Sequence, residues 1–135
     1  MPPADVAAPH VLLVDDDAAV AHVLATVLRR AGYRVTTAGS GDEAERLLDE
    51  RFDALVLDLR LPGMRGDAFY FLASTRQPWL LRRALFLTGD ISEQAETLIE
   101  VTGCVWLRKP FHLPEMLDAV AAMTQHAVAR IPRVS

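Results

Sequence analysis

The sequence predicts an α/β domain built on a doubly wound, five-stranded parallel sheet with helices on both faces. Two features of the 135-residue chain support this prediction. Short apolar runs alternate with longer segments in which apolar residues recur every three or four positions, as on the buried face of a helix. Strands separated by helices lie parallel, and uninterrupted apolar runs are typical of strands covered on both faces. The predicted strands are residues 11–14, 34–38, 54–57, 84–87 and 104–107.

Capping residues mark the helix boundaries in the first half of the chain. Asp17 follows the first strand and is placed to cap the first helix, which Gly32 is placed to end. After the second strand, Ser40 and Glu43 form a capping-box pattern that opens the second helix.

The same alternation continues in the second half. In the third helix, Phe69 and Phe71 are expected to pack against the core and Tyr70 to face water. Ser92 is placed to open the fourth helix and Gly103 to close it. A fifth strand and a fifth helix then complete the pattern.

Composition and charge exclude several classes of protein. The formal net charge of −4 and the pI near 5.5 argue against a nucleic-acid-binding surface. The single cysteine, Cys104, excludes an internal disulfide and fits a reducing cytoplasm. Residues 1–10 do not resemble a signal peptide, and no apolar stretch approaches the ~20 residues that span a bilayer. We therefore expect one cytoplasmic domain at residues 10–127, away from membranes, with an N-terminal lead at 1–9 and a tail at 128–135.

Chemically reactive residues follow four of the predicted strands. In an open parallel sheet, a functional site forms at the carboxyl ends of the strands, where the strand order reverses. We expect the order 2-1-3-4-5, which places the first and third strands side by side at that point. Asp15 and Asp16 follow the first strand, Asp58 follows the third, and Thr88 and Lys109 follow the fourth and fifth. The sequence therefore brings three carboxylates, a hydroxyl and an amine to one edge of the sheet.

This combination of groups suits phosphoryl transfer. Crowded carboxylates repel one another and need a positive partner. Mg²⁺, or Mn²⁺ in its place, prefers oxygen ligands and compensates this charge. A carboxylate nucleophile at Asp58, a metal ion beside it, and donors from Thr88 and Lys109 are the parts that such a reaction needs.

Four segments carry these residues: VLLVDDD at 11–17, LVLDLRLPG at 55–63, LFLTGD at 85–90 and LRKPF at 107–111. Together they resemble the receiver domain of two-component response regulators, over nearly the whole chain. The resemblance implies a flavodoxin-like αβα fold. It also implies a signalling domain, rather than an enzyme with a separate substrate, that promotes its own phosphorylation and dephosphorylation.

The resemblance implies a role for each acidic residue at the site. Asp58 is the implied phospho-acceptor. Asp16 would be the more direct metal ligand, and Asp15 would act partly through water. Asp58 and the backbone carbonyl of Arg60 would complete the protein ligands of the metal.

The resemblance also implies a switch and a set of partners. Lys109 would hold a phosphoryl oxygen, and its bond to Pro110 would be cis. Phosphorylation would draw in Thr88 and Trp106 and change the face formed by helix four, strand five and helix five. The donor would be a sensor histidine kinase or a histidine phosphotransfer protein. The changed face would bind a downstream target protein, still unknown, or a second copy in a homodimer.

Two residues depart from the family pattern, and two others suggest a modulating role. Trp106 stands where Tyr or Phe is usual, and its indole needs more room and a partner for its N–H. Arg65 stands where an acid is common. Arg60 and Asp90 lie two residues beyond the phospho-acceptor and the threonine. We hypothesise that they approach each other at the mouth of the site, restrict attacking water and lengthen the phosphorylated lifetime.

Other functions on this architecture fit less well. An aspartyl-phosphate phosphatase usually has a second acid two residues after the nucleophile, where this chain has Arg60. A nucleotide- or flavin-binding module would need a glycine-rich or hydroxyl-rich loop after strand one, where this chain has acids. The alternative function is a degenerate receiver that binds proteins without phosphorylation. A stand-alone receiver and a piece of a longer regulator both fit the sequence, although Met1 and the lead favour a natural N-terminus.

Overall fold

The described part of the computed structural model, residues 8–89 and 92–125, contains five strands and five α-helices. The strands are β1 (His10–Val14), β2 (Arg34–Ala38), β3 (Ala54–Asp58), β4 (Ala84–Thr88) and β5 (Val105–Arg108). The helices are α1 (Ala18–Arg30), α2 (Gly41–Arg46), α3 (Gly66–Arg76), α4 (Glu93–Thr102) and α5 (Leu113–Thr124), with a 3₁₀ turn at Pro78–Leu80. Each strand lies within one residue of its predicted bounds. Among these helices, none has the length and apolar character needed to cross a membrane.

The strands form one parallel sheet in the predicted order, β2-β1-β3-β4-β5. Val14 pairs with Leu57 across β1 and β3, and Leu57 pairs with Phe86 across β3 and β4. The strand order reverses between β1 and β3, so their carboxyl ends flank the crevice where sites form in such sheets.

Each face of the sheet has its own hydrophobic core, because successive strand residues point to opposite sides. Leu12 and Leu55 face the core that α2, α3 and α4 cover. Leu13 and Val56 face the core that α1 and α5 cover. All four side chains are fully buried, which explains the uninterrupted apolar runs. Packing on both faces fixes the strands, and the strands fix the positions of the residues that follow them.

The predicted caps are present, with one change. Asp17 accepts hydrogen bonds from two N–H groups in the first turn of α1, and Gly32 follows this helix with a φ of 99°. Ser40 accepts a hydrogen bond from the N–H of Glu43 at 3.1 Å. The Glu43 carboxylate accepts from the N–H of Gly39 at 3.2 Å, rather than from Ser40 as a standard capping box requires.

The buried face of α3 differs from the prediction. Tyr70 is 2% exposed and Phe71 is 49% exposed, so the expected roles of these two rings are reversed. The buried positions follow the spacing of a helical face: Gly66, Phe69, Tyr70, Ala73 and Ser74. Burial raises the pKa of Tyr70 to about 12, and the thiol of Cys104 donates a hydrogen bond to its hydroxyl oxygen. Cys104 itself is a small buried residue, as expected.

A buried glutamine joins the connection before β3 to the end of α3. The side chain of Gln77 accepts a hydrogen bond from the N–H of Phe52 at 2.9 Å. It donates to the carbonyls of Leu48 at 3.1 Å and Glu50 at 2.7 Å. Gln77 is 5% exposed, so this side chain satisfies three backbone groups from inside the protein.

Replacing Gln77 by alanine is expected to lower the free energy of unfolding by about 2–4 kcal/mol, because three backbone groups lose their partner. Urea unfolding of Gln77→Ala and wild type measures this difference. Thr75→Ala, at an exposed position in the last turn of α3, is the control. A loss no larger than that of the control would contradict the prediction.

His10 is a buried titratable residue at the opposite end of the sheet from the acidic residues. Its Nε2 lies 2.7 Å from the hydroxyl of Thr36, and its ring lies 4.6 Å from that of Phe52. Burial lowers the pKa of His10 below its usual 6.5, and the charge of Arg34 adds to this effect. Nearby acids act in the opposite direction without reversing the shift. The fold therefore favours the neutral ring.

This lowered pKa predicts a loss of stability on acidification. Above pH 6.5 the ring is neutral in both states, so His10 does not affect the pH dependence. As the pH falls from 6.5 to the lower folded pKa, the unfolded chain takes up the proton first and stability decreases. His10→Gln should flatten this part of a plot of unfolding midpoint against pH. The exposed His22→Gln is the control, and identical curves for His10→Gln and wild type would count against the prediction.

Candidate functional site

The residues predicted to form a site converge at the carboxyl edge of the sheet. Asp58 and Thr88 are the last residues of β3 and β4. Asp15 directly follows β1 and Lys109 directly follows β5. The N–H of Lys109 donates to the carbonyl of Thr88 at 2.8 Å, which ties the end of β5 to the end of β4. Strand pairing thus brings together residues up to 94 positions apart in the sequence.

Three carboxylates form an acidic cluster at this edge. Oxygen atoms of Asp15, Asp16 and Asp58 lie within 4.8 Å of one another. Asp15 and Asp58 are buried, at 2% and 5% exposure, whereas Asp16 is exposed. Asp17 caps α1 instead of joining the cluster, as expected. A set of oxygen donors that is buried on one side and open on the other fits a hard divalent cation that keeps some of its waters.

Lys109 bridges the two buried carboxylates. Its Nζ lies 2.9 Å from Oδ2 of Asp58 and 3.2 Å from Oδ2 of Asp15. The other oxygen of each carboxylate accepts a backbone N–H. Arg60 donates to Oδ1 of Asp58 at 2.8 Å, and Asp17 donates to Oδ1 of Asp15 at 2.9 Å. Both carboxylates are therefore held at both oxygens, which fixes their orientation.

Asp58 and Lys109, the partners of the central ion pair, both have a raised pKa, but for different reasons. Burial raises the pKa of the Asp58 carboxyl, because the N–H of Arg60 and the ammonium of Lys109 offset only part of the desolvation cost. Burial also disfavours the charged form of Lys109, but the two carboxylates outweigh it and raise the pKa of Lys109. The amine therefore stays protonated, and the charge on Asp58 costs stability in the metal-free protein.

Replacing Asp58 by asparagine is expected to stabilise the metal-free protein at neutral pH. A carboxyl group whose pKa rises on folding contributes most to the free energy of unfolding when it is protonated. This contribution falls as the pH rises from 3.8, the usual pKa of the group, through its higher pKa in the folded protein. Asparagine removes the costly charge and keeps an acceptor for the N–H of Arg60. In EDTA, Asp58→Asn should unfold at a higher temperature than wild type and than Asp49→Asn, an exposed control. An unchanged or lower midpoint would contradict this reasoning.

Thr88 lies beside an open space at the site. The residue is 1% exposed, and a Cβ atom added at the neighbouring Gly89 would meet no heavy atom within 4 Å. The bond between Lys109 and Pro110 is cis, as the resemblance implied. A side chain at position 89 would therefore extend into open space.

Sequence reasoning did not connect Gly66, the first residue of α3, to the site. A Cβ atom there would lie 2.7 Å from the carbonyl oxygen of Asp58 and 2.8 Å from Cα of Leu59. Glycine at this position lets α3 pack directly on the backbone that leaves the acidic cluster. A glycine at the start of a helix, three residues after the turn glycine Gly63, was the available signal.

Three other predicted residues lie at the margin of the site or outside the described ranges. Trp106 is partly buried and packs at the edge of the core beneath α2, α3 and α4. Its role as a switch stays a prediction. Arg60 is exposed at the mouth of the site. Asp90 lies outside the described residues, as does the tail at 128–135, so the approach of Asp90 to Arg60 also stays a prediction.

The sequence matches a known protein family over most of its length. Residues 11–121 match the response regulator receiver domain. The transcriptional regulatory protein CpxR of Escherichia coli (strain K12) is 32% identical over 119 residues, which cover 87% of this chain and 50% of CpxR. The chain spans about half the length of this relative, or less of others that it matches.

Solved structures show the same fold. A CheY-like receiver domain protein from Methanospirillum hungatei JF-1 superposes with a TM-score of 0.81 at 23% identity, covering 87% of this chain and 94% of that one. A response regulator protein from Burkholderia pseudomallei, with a phosphorylated aspartic acid, calcium ion and citrate, has a TM-score of 0.75 at 30% identity. That match covers 87% of this chain and 69% of the other. The family match, the strand order and the acidic cluster together show that this chain belongs to the response regulator receiver domains of two-component signal transduction.

Proposed function

We propose that this receiver domain takes a phosphoryl group onto Asp58 from a phosphohistidine donor, with Mg²⁺ or Mn²⁺ at the acidic cluster. One observation supports the proposal above the others. Asp58 is a buried carboxylate at a strand end, within 4.8 Å of two further carboxylates and 2.9 Å from the amine of Lys109. A nucleophile, a cation-binding set of oxygens and a fixed positive donor thus stand together.

The chain itself would supply the ligands of the metal ion. Asp15, Asp16, Asp58 and the backbone carbonyl of Arg60 would hold the metal. When bound, the cation supplies positive charge to the nucleophile and to the phosphoryl oxygens. The acidic cluster fits this ion because its donors are all oxygens and Asp16 is open to water.

The transfer itself uses Asp58, Lys109 and Thr88. A carboxylate oxygen of Asp58 attacks phosphorus, and the bond from phosphorus to the donor imidazole breaks. The ammonium of Lys109 moves its hydrogen bonds from the carboxylates to a phosphoryl oxygen, where negative charge is greatest during the transfer. The hydroxyl of Thr88 donates to a second phosphoryl oxygen. Attack of water on the resulting acyl phosphate reverses the state, at a rate that we propose Arg60 and Asp90 modulate.

Phosphorylation would then change partner binding on the face formed by α4, β5 and α5. Thr88 and Trp106 would move inward and couple the phosphoryl group to this face. Val101 on α4 is 72% exposed and Val105 on β5 is 46% exposed, which supports docking of a downstream protein or a second copy there. We retain residues 10–127 as the proposed bounds of the domain.

Intact-mass measurement after incubation with acetyl phosphate and Mg²⁺ tests the proposal. Wild type and the exposed control Asp49→Asn should gain one phosphoryl mass. Asp58→Asn, and wild type in EDTA, should gain none. An adduct that persists in Asp58→Asn would move the acceptor elsewhere, and the absence of any adduct in wild type would indicate binding without phosphorylation.

A further inference from the structure

A groove opens directly beside the proposed phosphorylation site. Its volume is about 560 Å³, and its lining includes Asp16 and Thr88, which also belong to the site. This volume lies in the range of pockets that hold small molecules, about 300–1,000 Å³. The groove is therefore a continuation of the space in which the phosphoryl group is transferred.

Apolar residues from two parts of the chain line this groove. Leu59, Leu61 and Pro62 line it from the loop after β3, and Ala95 and Leu98 line it from α4. Leu61, Ala95 and Leu98 are mostly buried and belong to the packed part of the domain. The walls therefore present a fixed apolar surface rather than mobile chain ends.

The lining of the groove includes charged side chains of both signs. Arg60 and Arg65 line it together with Asp16 and Asp67, and Nε of Arg65 lies 3.4 Å from a carboxylate oxygen of Asp67. Guanidinium groups favour carboxylate and phosphate ligands even when they share an acidic neighbour. The groove thus combines apolar residues with two guanidinium groups, which suits an anion that carries an apolar body.

From this arrangement we infer that the domain accepts phosphoryl groups directly from acyl phosphates with short apolar acyl chains, in preference to acetyl phosphate. The inference rests on the proposed function of Asp58. The phosphoryl group would lie at the acidic cluster and the acyl chain in the groove. A carboxylate oxygen of Asp58 bonds to phosphorus, the bond from phosphorus to the acyl oxygen breaks, and the free carboxylate leaves past Arg60 and Arg65. Charge balances, and neither a proton nor a redox partner is required.

Butyryl phosphate and acetyl phosphate provide a matched comparison. Their leaving groups are carboxylates of nearly equal basicity, so a difference in rate reports binding of the two extra methylenes. One fully buried methylene favours binding about fourfold. In a groove that is partly open to water, we expect butyryl phosphate to phosphorylate Asp58 about fivefold faster than acetyl phosphate at equal, subsaturating concentration. Intact-mass time courses with Mg²⁺ measure both rates.

Two variants test whether the groove causes the preference for butyryl phosphate. Leu98→Phe fills the groove and should reduce the butyryl-to-acetyl ratio to about one, whereas Val23→Phe, which adds the same ring at an exposed position on α1, should keep it. Thermal unfolding establishes that each variant is folded. If Leu98→Phe does not fold, Ala95→Val narrows the same groove with two methyl groups and takes its place.

The outcomes separate this inference from the proposed function. Phosphorylation by acetyl phosphate with a wild-type ratio of one overturns the inference and leaves the function of Asp58 intact. A raised ratio that persists in a folded groove-filling variant also overturns it, because the preference then arises elsewhere. No adduct from either donor refutes the proposed function, and the inference with it.

Discussion

Lys109→Met is expected to slow phosphorylation of Asp58 by about 100-fold or more, because it removes the ammonium that contacts the nucleophile. Methionine keeps the unbranched apolar part of the side chain and lacks the charged amine. The initial rate with acetyl phosphate at saturating Mg²⁺, followed by intact mass, measures the effect. Arg108→Met, one residue earlier and exposed, is the matched control. A rate within threefold of wild type would contradict the role assigned to Lys109.

A second measurement on the same variant distinguishes loss of chemistry from loss of structure. Without Lys109, the buried carboxylates of Asp15 and Asp58 face each other without compensation in the metal-free protein. We expect a loss of about 3 kcal/mol of stability in EDTA, in line with breaking a buried ion pair on one side. Mg²⁺ should stabilise Lys109→Met more than it stabilises wild type, because the metal ion then supplies the positive charge that the ammonium of Lys109 supplies in wild type. Equal stabilisation by Mg²⁺ would indicate that the amine and the metal do not share these carboxylates.

The convergence of the site could be predicted because it depends on topology alone. Once five apolar runs alternate with helices, the parallel order brings whatever follows each strand to one edge. Asp15, Asp58, Thr88 and Lys109 needed no further information to be placed together. The hydrogen bonds within the site could not be predicted from the sequence. Lys109 contacts two carboxylates, and each of these also accepts a backbone N–H. These contacts depend on side-chain torsions, which residue spacing does not determine.

The error at α3 has a different physical origin. Three consecutive aromatic residues, Phe69 to Phe71, satisfy more than one phase of a helix, so apolar spacing cannot decide which ring is buried. Gly66, which lies close to the backbone of Asp58, and Tyr70 are both on the buried face of α3. We infer that this tertiary contact, which a glycine permits, sets the rotation of the helix that periodicity left open.

Gly66→Ala is therefore expected to have the largest structural effect of a single added methyl group near the site. The new Cβ would lie 2.7 Å from the carbonyl oxygen of Asp58 and 2.8 Å from Cα of Leu59, and neither backbone atom can rotate away. We expect a loss of about 2–4 kcal/mol in the free energy of unfolding. Helix propensity predicts the opposite sign, since alanine is about 1 kcal/mol better than glycine inside a helix.

The sign of the change in the free energy of unfolding distinguishes the two expectations for Gly66→Ala, and Gly89→Ala provides the control. At Gly89 an added Cβ meets no heavy atom within 4 Å, so the free energy of unfolding should change by less than about 1 kcal/mol. Urea unfolding of both variants compares the same chemical change with and without a backbone contact. Relief of the clash in Gly66→Ala would displace Asp58 from the N–H of Arg60 and from Lys109, so phosphorylation should slow along with the loss of stability. If Gly66→Ala is as stable as Gly89→Ala, α3 does not rest on the backbone of Asp58, and the rotation that buries Tyr70 must have another cause.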